Sequence, residues 1–250
     1  MDIERLTTAR WELLRGGEVS EVTRELIIEL LSDRLGFAPP GLSDAETRPV
    51  GPLPAADCPS LIALCLGHAR SGDQGAVSVG GVSEEMWHRR VGMLTQVQTR
   101  LAGYGIRSIV VEQYEGNSYV EAMTWLARHL RSRGATAAVE FHFNSGPASA
   151  WGHETLYHEF SRYGVRLAEM VEARWGRDLP GPRRGVQPRS TGQRGALFLS
   201  RTHCPAAILE PFFGSNRQDW EYFSGAPERL ADSTAAGIAD FAKFYREAKV

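Results

Sequence analysis

Three apolar runs in the chain end close to a residue that can bind a metal ion or transfer a proton. His68 and His142 each follow such a run within two residues, and Glu210 closes a third. In open α/β sheets the carboxyl ends of the strands lie beside one another, so these side chains are expected to meet in space. The pattern predicts a chemical site at one edge of a sheet.

A second carboxylate, Glu84, stands at the start of a predicted helix. The glycine-rich segment 75–83 precedes it, and Ser83 is placed to cap the helix N-terminus. We expect this arrangement to let Glu84 lean back toward the same sheet edge. An acidic residue in the first helical turn also has a purely structural explanation, because the helix macrodipole favours it.

Two neutral imidazoles and one carboxylate are the ligand set of a catalytic zinc site, which keeps its fourth position open for water or substrate. We therefore predict one Zn²⁺ per chain, held by His68, Glu84 and His142. Zinc lowers the pKa of water at the open position to about 7. A carboxylate that does not bind the metal must then move the proton, and Glu210 is the predicted catalytic residue. Each residue alone has a structural explanation, so the prediction depends on all four together.

The elements that carry these residues alternate between strand and helix. Apolar runs predict strands at residues 60–66, 108–111, 136–141, 196–199 and 206–209. Helical spacing predicts helices over 84–101, 119–131 and 154–175, and a last helix from Pro227. This alternation is typical of an α/β fold, and we expect a mostly parallel or mixed sheet of five or six strands with helices on both faces.

The first 59 residues are predicted to lie apart from the zinc-binding catalytic domain, which we place at residues 60–250. Residues 1–36 show two short helical patterns, and residues 37–59 hold six prolines and form a linker. The second helix carries an apolar stripe that must be covered. Packing on the main domain, a homo-oligomer through these helices, and a binding or targeting role are the alternatives.

Composition and charge argue against several classes of partner. Lys and Arg total 28 against 30 Asp and Glu, and the formal net charge of −2 offers no general grip on nucleic acid or anionic lipid. Cys58, Cys65 and Cys204 form no CxxC pair, which argues against a disulfide framework and a thiolate zinc site. The N-terminus lacks the order of a signal peptide, and no window resembles a membrane span. We expect synthesis in the cytoplasm and no membrane insertion.

The motifs around these residues resemble those of the type 3 N-acetylmuramoyl-L-alanine amidases across most of residues 60–216. The matching blocks, in family order, are Gly67-His68, Asp73-Gln74-Gly75-Ala76, Gly81-Val82-Ser83-Glu84, His142-Phe143-Asn144, Ala150-Trp151-Gly152-His153-Glu154, Arg184-Gly185-Val186, Pro205 to Glu210, and Phe213-Gly214-Ser215-Asn216. The resemblance implies zinc-dependent hydrolysis of the amide bond between N-acetylmuramic acid and L-alanine in peptidoglycan, as in cell-wall amidases and endolysins. It implies the same roles for His68, Glu84, His142 and Glu210. Asn144 and Glu154 would line the groove, contacting the peptide or orienting the metal ligands.

The chain departs from the family pattern at three places. Ala69-Arg70-Ser71-Gly72 stands where a glycine pair is usual and adds one residue before Asp73. Phe212 replaces a glycine. Glu140 replaces a serine two residues before the second histidine. None of these departures removes a predicted ligand. They bear on loop geometry and on contacts with the substrate.

Several alternatives stay open at this level. Glu85 is a second candidate for the carboxylate ligand, although the Gly-x-x-Glu spacing favours Glu84. Another zinc amidohydrolase or a carboxypeptidase, acting on peptides or small acylated amino acids, would use the same ligand types. A non-catalytic binding module of the same fold is a third alternative. Since no signal peptide is apparent, an enzyme acting on the wall is expected to be exported by another route or released during phage or prophage lysis.

Overall fold

The computed structural model describes residues 61–248 of the protein. The predicted helical segment 1–36 and the Pro-rich linker 37–59 lie outside these residues, so both stay predictions. Within the described part, the chain forms one six-stranded sheet and seven helices. None of those helices is long and apolar enough to span a lipid bilayer.

The sheet is mixed, as the sequence predicts. Its strands are β1 (Leu61–Leu66), β2 (Arg107–Val111), β3 (Ala137–Phe141), β4 (His153–His158), β5 (Arg183–Arg189) and β6 (Ala206–Glu210). They lie in the order β2-β1-β3-β6-β4-β5. The first four strands of that order are mutually parallel, whereas β4 runs antiparallel to β6 and β5 runs parallel to β4. The start of β4 therefore lies at the same edge of the sheet as the ends of β1, β3 and β6.

Seven helices of the described chain pack around this sheet. They are α1 (Glu84–Arg90), α2 (Met93–Gly103), α3 (Tyr119–Ser132), α4 (Arg162–Asp178), α5 (Ala196–Arg201), α6 (Arg217–Gly225) and α7 (Pro227–Glu247). Helix α7 packs on both α2 and α4, and α3 packs against α5. Strands β1 and β3 are buried along their whole length, as central parallel strands must be when helices cover both faces of a sheet.

Four of the five predicted strands are confirmed to within one residue, and the fifth is wrong. Ala196–Leu199 is the first part of helix α5, not a strand. All four of its residues are buried, and a short apolar run cannot distinguish a buried helical turn from a buried strand. Gly195, in the left-handed region with φ +82°, turns the chain into this helix.

The predicted helices at 84–101 and 154–175 also differ from the structure. The first is two helices, because Gly92 adopts φ +61° and separates α1 from α2. The second begins as strand β4, and helix α4 starts only after Ser161, whose side chain caps it. Strand β5 and helix α6 gave no clear signal in the sequence. β4 and β5 pair with each other and β4 with β6, so partners distant in the chain decide their conformation.

The packing of α4 on α7 centres on Trp175, which is fully buried and donates its indole N–H to Thr234 Oγ1 at 3.0 Å. We predict that Trp175→Ala lowers the free energy of unfolding by about 3–5 kcal/mol, because it leaves a large cavity. Thr234→Val should cost about 1–3 kcal/mol, since the buried N–H loses its acceptor. Urea denaturation measures both. The exposed Thr99→Val should stay within about 0.5 kcal/mol, and an equally small effect of Thr234→Val would contradict the assignment.

Candidate metal centre and active site

The residues predicted to carry chemistry do meet at one edge of the sheet. His68 lies two residues beyond the end of β1, His142 lies one residue beyond β3, and Glu210 is the last residue of β6. The strands are in register there, with Leu66 opposite Phe141. Because neighbouring strands end at the same level, the three side chains emerge close together.

His68 has an unusual backbone, since it is the one non-glycine residue in 61–248 with positive φ, at 58°. Such a conformation costs on the order of 1–3 kcal/mol and is found where a side chain must be held in a set direction. Its Nδ1 atom lies 2.8 Å from Asp73 Oδ1. Its Nε2 atom is buried without a hydrogen-bond partner and lies 3.5 Å from Glu84 Oε2. The imidazole therefore points one free nitrogen toward Glu84.

Glu84 reaches the sheet edge from the first turn of α1, as its position after a capping serine predicts. Its carboxylate is 2% exposed and accepts hydrogen bonds from the backbone N–H groups of Ala76 and Phe143, both at 3.2 Å. A third contact, at 2.6 Å, joins Oε1 to Nδ1 of His142. The alternative ligand Glu85 instead pairs with Arg89 on the same helix.

His68, Glu84 and His142 form a group able to hold one metal ion. One ligand atom from each lies within 4.8 Å of the others, and the two imidazole rings meet edge to face at 5.0 Å between centroids. Zinc–nitrogen and zinc–oxygen bonds are about 2.0–2.2 Å long, so a small inward movement of these side chains lets them share an ion. A buried imidazole nitrogen without a partner, beside a buried carboxylate, fits such a ligand set.

Two glycines make this convergence sterically possible. A Cβ on Gly67 would lie 2.5 Å from Cε1 of His142. Gly75 has φ +72°, and a Cβ there would lie 2.6 Å from His68 Cδ2 and 2.7 Å from Glu84 Oε2. Any larger residue at either position would push the candidate ligands apart.

An aromatic cluster holds α1 against the ends of β3 and β6. The ring of Phe212 lies 5.0 Å from Trp87 of α1, 5.3 Å from Phe143 and 4.7 Å from Phe223, between centroids. Aromatic pairs of this kind add about 0.5–1.5 kcal/mol each beyond their buried area. Phe212 therefore has a packing role that helps to hold Glu84 over the sheet edge.

Burial and neighbouring charges shift the pKa values of the candidate ligands in opposite directions. Burial by itself would raise the pKa of Glu84, but the charge and hydrogen bonds of His142 and His68 outweigh it and hold that pKa well below its usual range. Burial would lower the pKa of His142, whereas the carboxylates of Glu84 and Glu140 raise it. The carboxylate is therefore ionised and ready to neutralise a cation.

Glu210 lies beside this cluster in a different environment. Its Oε2 atom is buried and has no hydrogen-bond partner. Burial raises the pKa of Glu210 to about 8, the negative charges of Glu84 and Glu154 add to the increase, and His142 opposes it. A carboxyl group with a pKa near neutrality can both take and return a proton at that pH.

Glu154 stands directly opposite Glu210, because β4 runs antiparallel to β6. Its two oxygens accept hydrogen bonds from Asn144 Nδ2 at 2.7 Å and from Arg184 Nε at 2.8 Å. The Arg184 guanidinium also lies 4.9 Å above the ring of Phe213. The structure thus brings the two groove residues suggested by the resemblance together. It adds Arg184, which the sequence motif contained but which our reasoning from the residues did not assign to the site.

A comparison with models of protein families identifies the family of this chain. A sequence model described as N-acetylmuramoyl-L-alanine amidase matches residues 62–240, which is most of the chain. The chain belongs to this amidase family. Its members hydrolyse the amide bond between N-acetylmuramic acid and L-alanine of peptidoglycan, and this enzyme class is the one that the sequence motifs imply. A comparison with curated proteins finds no match.

Solved structures similar to the amidase share its fold at low sequence identity. The CwlD amidase from Clostridioides difficile, in complex with the GerS lipoprotein, superposes with a TM-score of 0.64 at 19% identity, over 74% of this chain and 99% of that chain. The catalytic domain of the CD27L endolysin targeting Clostridia difficile gives 0.60 at 18% identity, over 72% and 97%. Ami1 from Mycobacterium smegmatis gives 0.58 at 19% identity, over 74% and 97%. At these identities the likeness shows the fold alone.

The environment of Glu210 predicts how the stability of the metal-free amidase depends on pH. The folded-state pKa, about 8, lies above the unfolded value near 4.5, so folding favours the protonated carboxyl. That contribution is complete below the unfolded pKa and is lost as pH rises through the folded pKa. Glu210→Gln keeps the shape without the charge.

We therefore predict that the melting temperature of metal-free Glu210→Gln exceeds that of the wild type by an amount that grows between pH 5 and pH 8 and then levels off. Differential scanning calorimetry after chelation measures it. The exposed Glu221→Gln is the control and should show no such growth. A difference between Glu210→Gln and wild type that stays constant with pH would contradict the buried environment assigned to Glu210.

Proposed function

We propose that the amidase uses one zinc ion, held by His68 Nε2, a carboxylate oxygen of Glu84 and His142 Nδ1. The observation that carries this proposal is the convergence of these three groups, two of them beyond the ends of parallel strands and one from a capped helix. Zinc bound there would supply a Lewis acid that polarises the substrate carbonyl and makes water nucleophilic near neutral pH. The donor set, with two imidazoles and one carboxylate, is one of those found in catalytic zinc sites.

Glu210 is proposed to carry the proton through the reaction. As the oxygen of the attacking water bonds to the lactyl carbonyl carbon, a Glu210 oxygen accepts the proton that the water loses. When the C–N bond to L-alanine breaks, the same carboxyl returns that proton to the departing nitrogen. A pKa raised to about 8 by burial suits this double duty, because neither proton transfer is then strongly uphill near neutrality.

Asn144 and Glu154 are proposed to border the groove and to position Glu210. Their support is the hydrogen bond between them and the ion pair of Glu154 with Arg184. This arrangement holds the Glu154 carboxylate near Glu210, and after burial its negative charge is one of the causes that raise the pKa of Glu210. These bonds join the loop after β3 to β4 and β5, and Glu210 stands at the end of β6, the strand between β3 and β4.

The proposed biological setting is degradation of the cell wall, including lysis by an endolysin-like enzyme. Peptidoglycan is the substrate that follows from the family, and the fold is shared with a catalytic domain that is named as an endolysin. Export of the protein or its release through the membrane during lysis is part of this proposal.

The reaction can be tested by its products. We predict that the zinc-loaded protein acting on purified sacculi produces new L-alanine amino termini while the glycan strands stay intact, because only the lactyl amide is cut. Mass spectrometry of the soluble products measures this. A carboxypeptidase would release single terminal residues, and a binding module would release nothing, so either result contradicts the proposed reaction.

Because Glu210 is proposed to transfer protons and not to bind the metal, its substitution should affect activity and zinc binding differently. Glu210→Gln should bind zinc with one equivalent per chain, since Glu210 is not a ligand, yet lose most of its activity, by roughly 10²–10⁴-fold, as a missing general base and acid does. Chelation should abolish activity of the wild type, and added zinc should restore it. Metal content by atomic spectrometry and turnover on sacculi are the two measurements, with Glu221→Gln as the control. A Glu210→Gln variant as active as wild type would overturn this role.

A further inference from the structure

The two imidazoles of the candidate metal centre share one feature that the ligand set does not explain. In each ring, the nitrogen that faces away from Glu84 lies against a second carboxylate. For His68 this is Asp73, at 2.8 Å from Nδ1. For His142 it is Glu140, whose Oε2 lies 3.1 Å from Nε2.

Glu140 is built into the protein interior. It belongs to the central strand β3, its residue is 4% exposed, and its other oxygen, Oε1, accepts the hydroxyl hydrogen of Tyr114 at 3.2 Å. Tyr114 is itself 4% exposed. A carboxylate so buried is costly unless both oxygens have partners. The Tyr114 hydroxyl donates to one oxygen, and the other faces Nε2 of His142, a buried ring nitrogen that has no aligned hydrogen-bond partner in this arrangement.

This placement has a direct consequence for metal binding. An imidazole that donates its N–H to a carboxylate is held in one tautomer and one ring orientation, and its opposite nitrogen becomes a better donor to a metal. Nδ1 of His142 lies 2.6 Å from Glu84 Oε1. A cation bound by His142 at Nδ1 would need the lone pair of that nitrogen, which places the ring proton on Nε2, on the side of Glu140.

We propose that Glu140 is a positioning residue for the metal: its carboxylate holds the Nε2–H of His142, keeps Nδ1 directed at the ion, and thereby raises the zinc affinity of this amidase. The proposal rests on the assignment of His142 as a zinc ligand. Tyr114 holds Glu140 in turn, and its own loss should matter less because the contact of Glu140 with His142 remains.

Zinc affinity, measured by competition with a chromogenic chelator on the purified full-length protein, tests this proposal. Loss of a carboxylate that orients a metal-bound histidine typically weakens metal binding by 10- to 100-fold, and we expect this for Glu140→Ala. Glu140→Gln keeps the size and one hydrogen-bond acceptor but not the charge, so its affinity should lie between Glu140→Ala and wild type. Tyr114→Phe should change the affinity less than Glu140→Gln. Glu115→Gln, an exposed carboxylate nearby in the chain, is the matched control and should leave it unchanged.

A second measurement separates positioning from a general effect on folding. In ¹⁵N-labelled zinc-loaded wild type, the imidazole of His142 should show a protonated Nε2 and a metal-bound Nδ1 by NMR. In Glu140→Gln the Nε2–H should exchange faster with solvent, while the melting temperature of the metal-free protein stays close to wild type. If Glu140→Ala does not fold, Glu140→Gln alone decides the outcome.

His142→Ala keeps this test distinct from a test of the zinc ligands themselves. If His142→Ala binds zinc as tightly as wild type, His142 is not a ligand and the proposed metal centre fails. If His142→Ala loses zinc but Glu140→Ala and Glu140→Gln keep wild-type affinity and an unchanged His142 spectrum, only the role of Glu140 is overturned.

Discussion

The buried carboxylate of Glu84 imposes the main physical constraint on the active edge of this amidase. An ionised group that leaves water must recover its lost hydration through hydrogen bonds and opposite charge. Glu84 does so through two backbone N–H groups and the neighbouring imidazoles. Meeting that requirement brings three separate parts of the chain, the glycine-rich loop, the end of β1 and the end of β3, within a few ångströms of one another. A divalent cation placed among them would complete the balance of charge.

The residues around Glu84, His68 and His142 allow these three side chains to approach one another closely. Gly67 and Gly75 leave room for the rings, and the left-handed backbone of His68 aims its imidazole at Glu84. Phe212 packs against Trp87 and Phe143 and thereby holds α1 against the ends of β3 and β6. The strain at His68 and the desolvation of Glu84 both oppose folding, so the packing of the core has to offset them. Active sites commonly carry such costs, because reactivity requires groups that are incompletely satisfied in the free protein.

The mixed topology of the sheet explains why a second carboxylate, Glu154, lies beside Glu210. In a wholly parallel sheet, the start of β4 would be at the opposite edge from Glu210. Because β4 is antiparallel to β6, Glu154 lies across from Glu210, and Arg184 at the start of the adjacent strand reaches Glu154. The Glu154 carboxylate is thus compensated by a cation and an amide, whereas Oε2 of Glu210 is buried without a hydrogen-bond partner. Their different surroundings, rather than their shared chemistry, separate the two proposed roles.

The sequence by itself determined the candidate chemistry and most of the parallel part of the sheet. His68, His142 and Glu210 could be found because local hydrophobic runs reveal where buried strands end, and Ser83 revealed the helix start that carries Glu84. Only the tertiary structure decided that 153–158 is a strand, that 196–199 is a helix, and that Arg184, Asp73 and Glu140 contact the site. The physical reason is the range of the interactions involved. Periodicity and capping are local and are written in neighbouring residues, whereas an antiparallel pairing or a buried carboxylate beside a distant imidazole depends on partners that only the folded chain brings together.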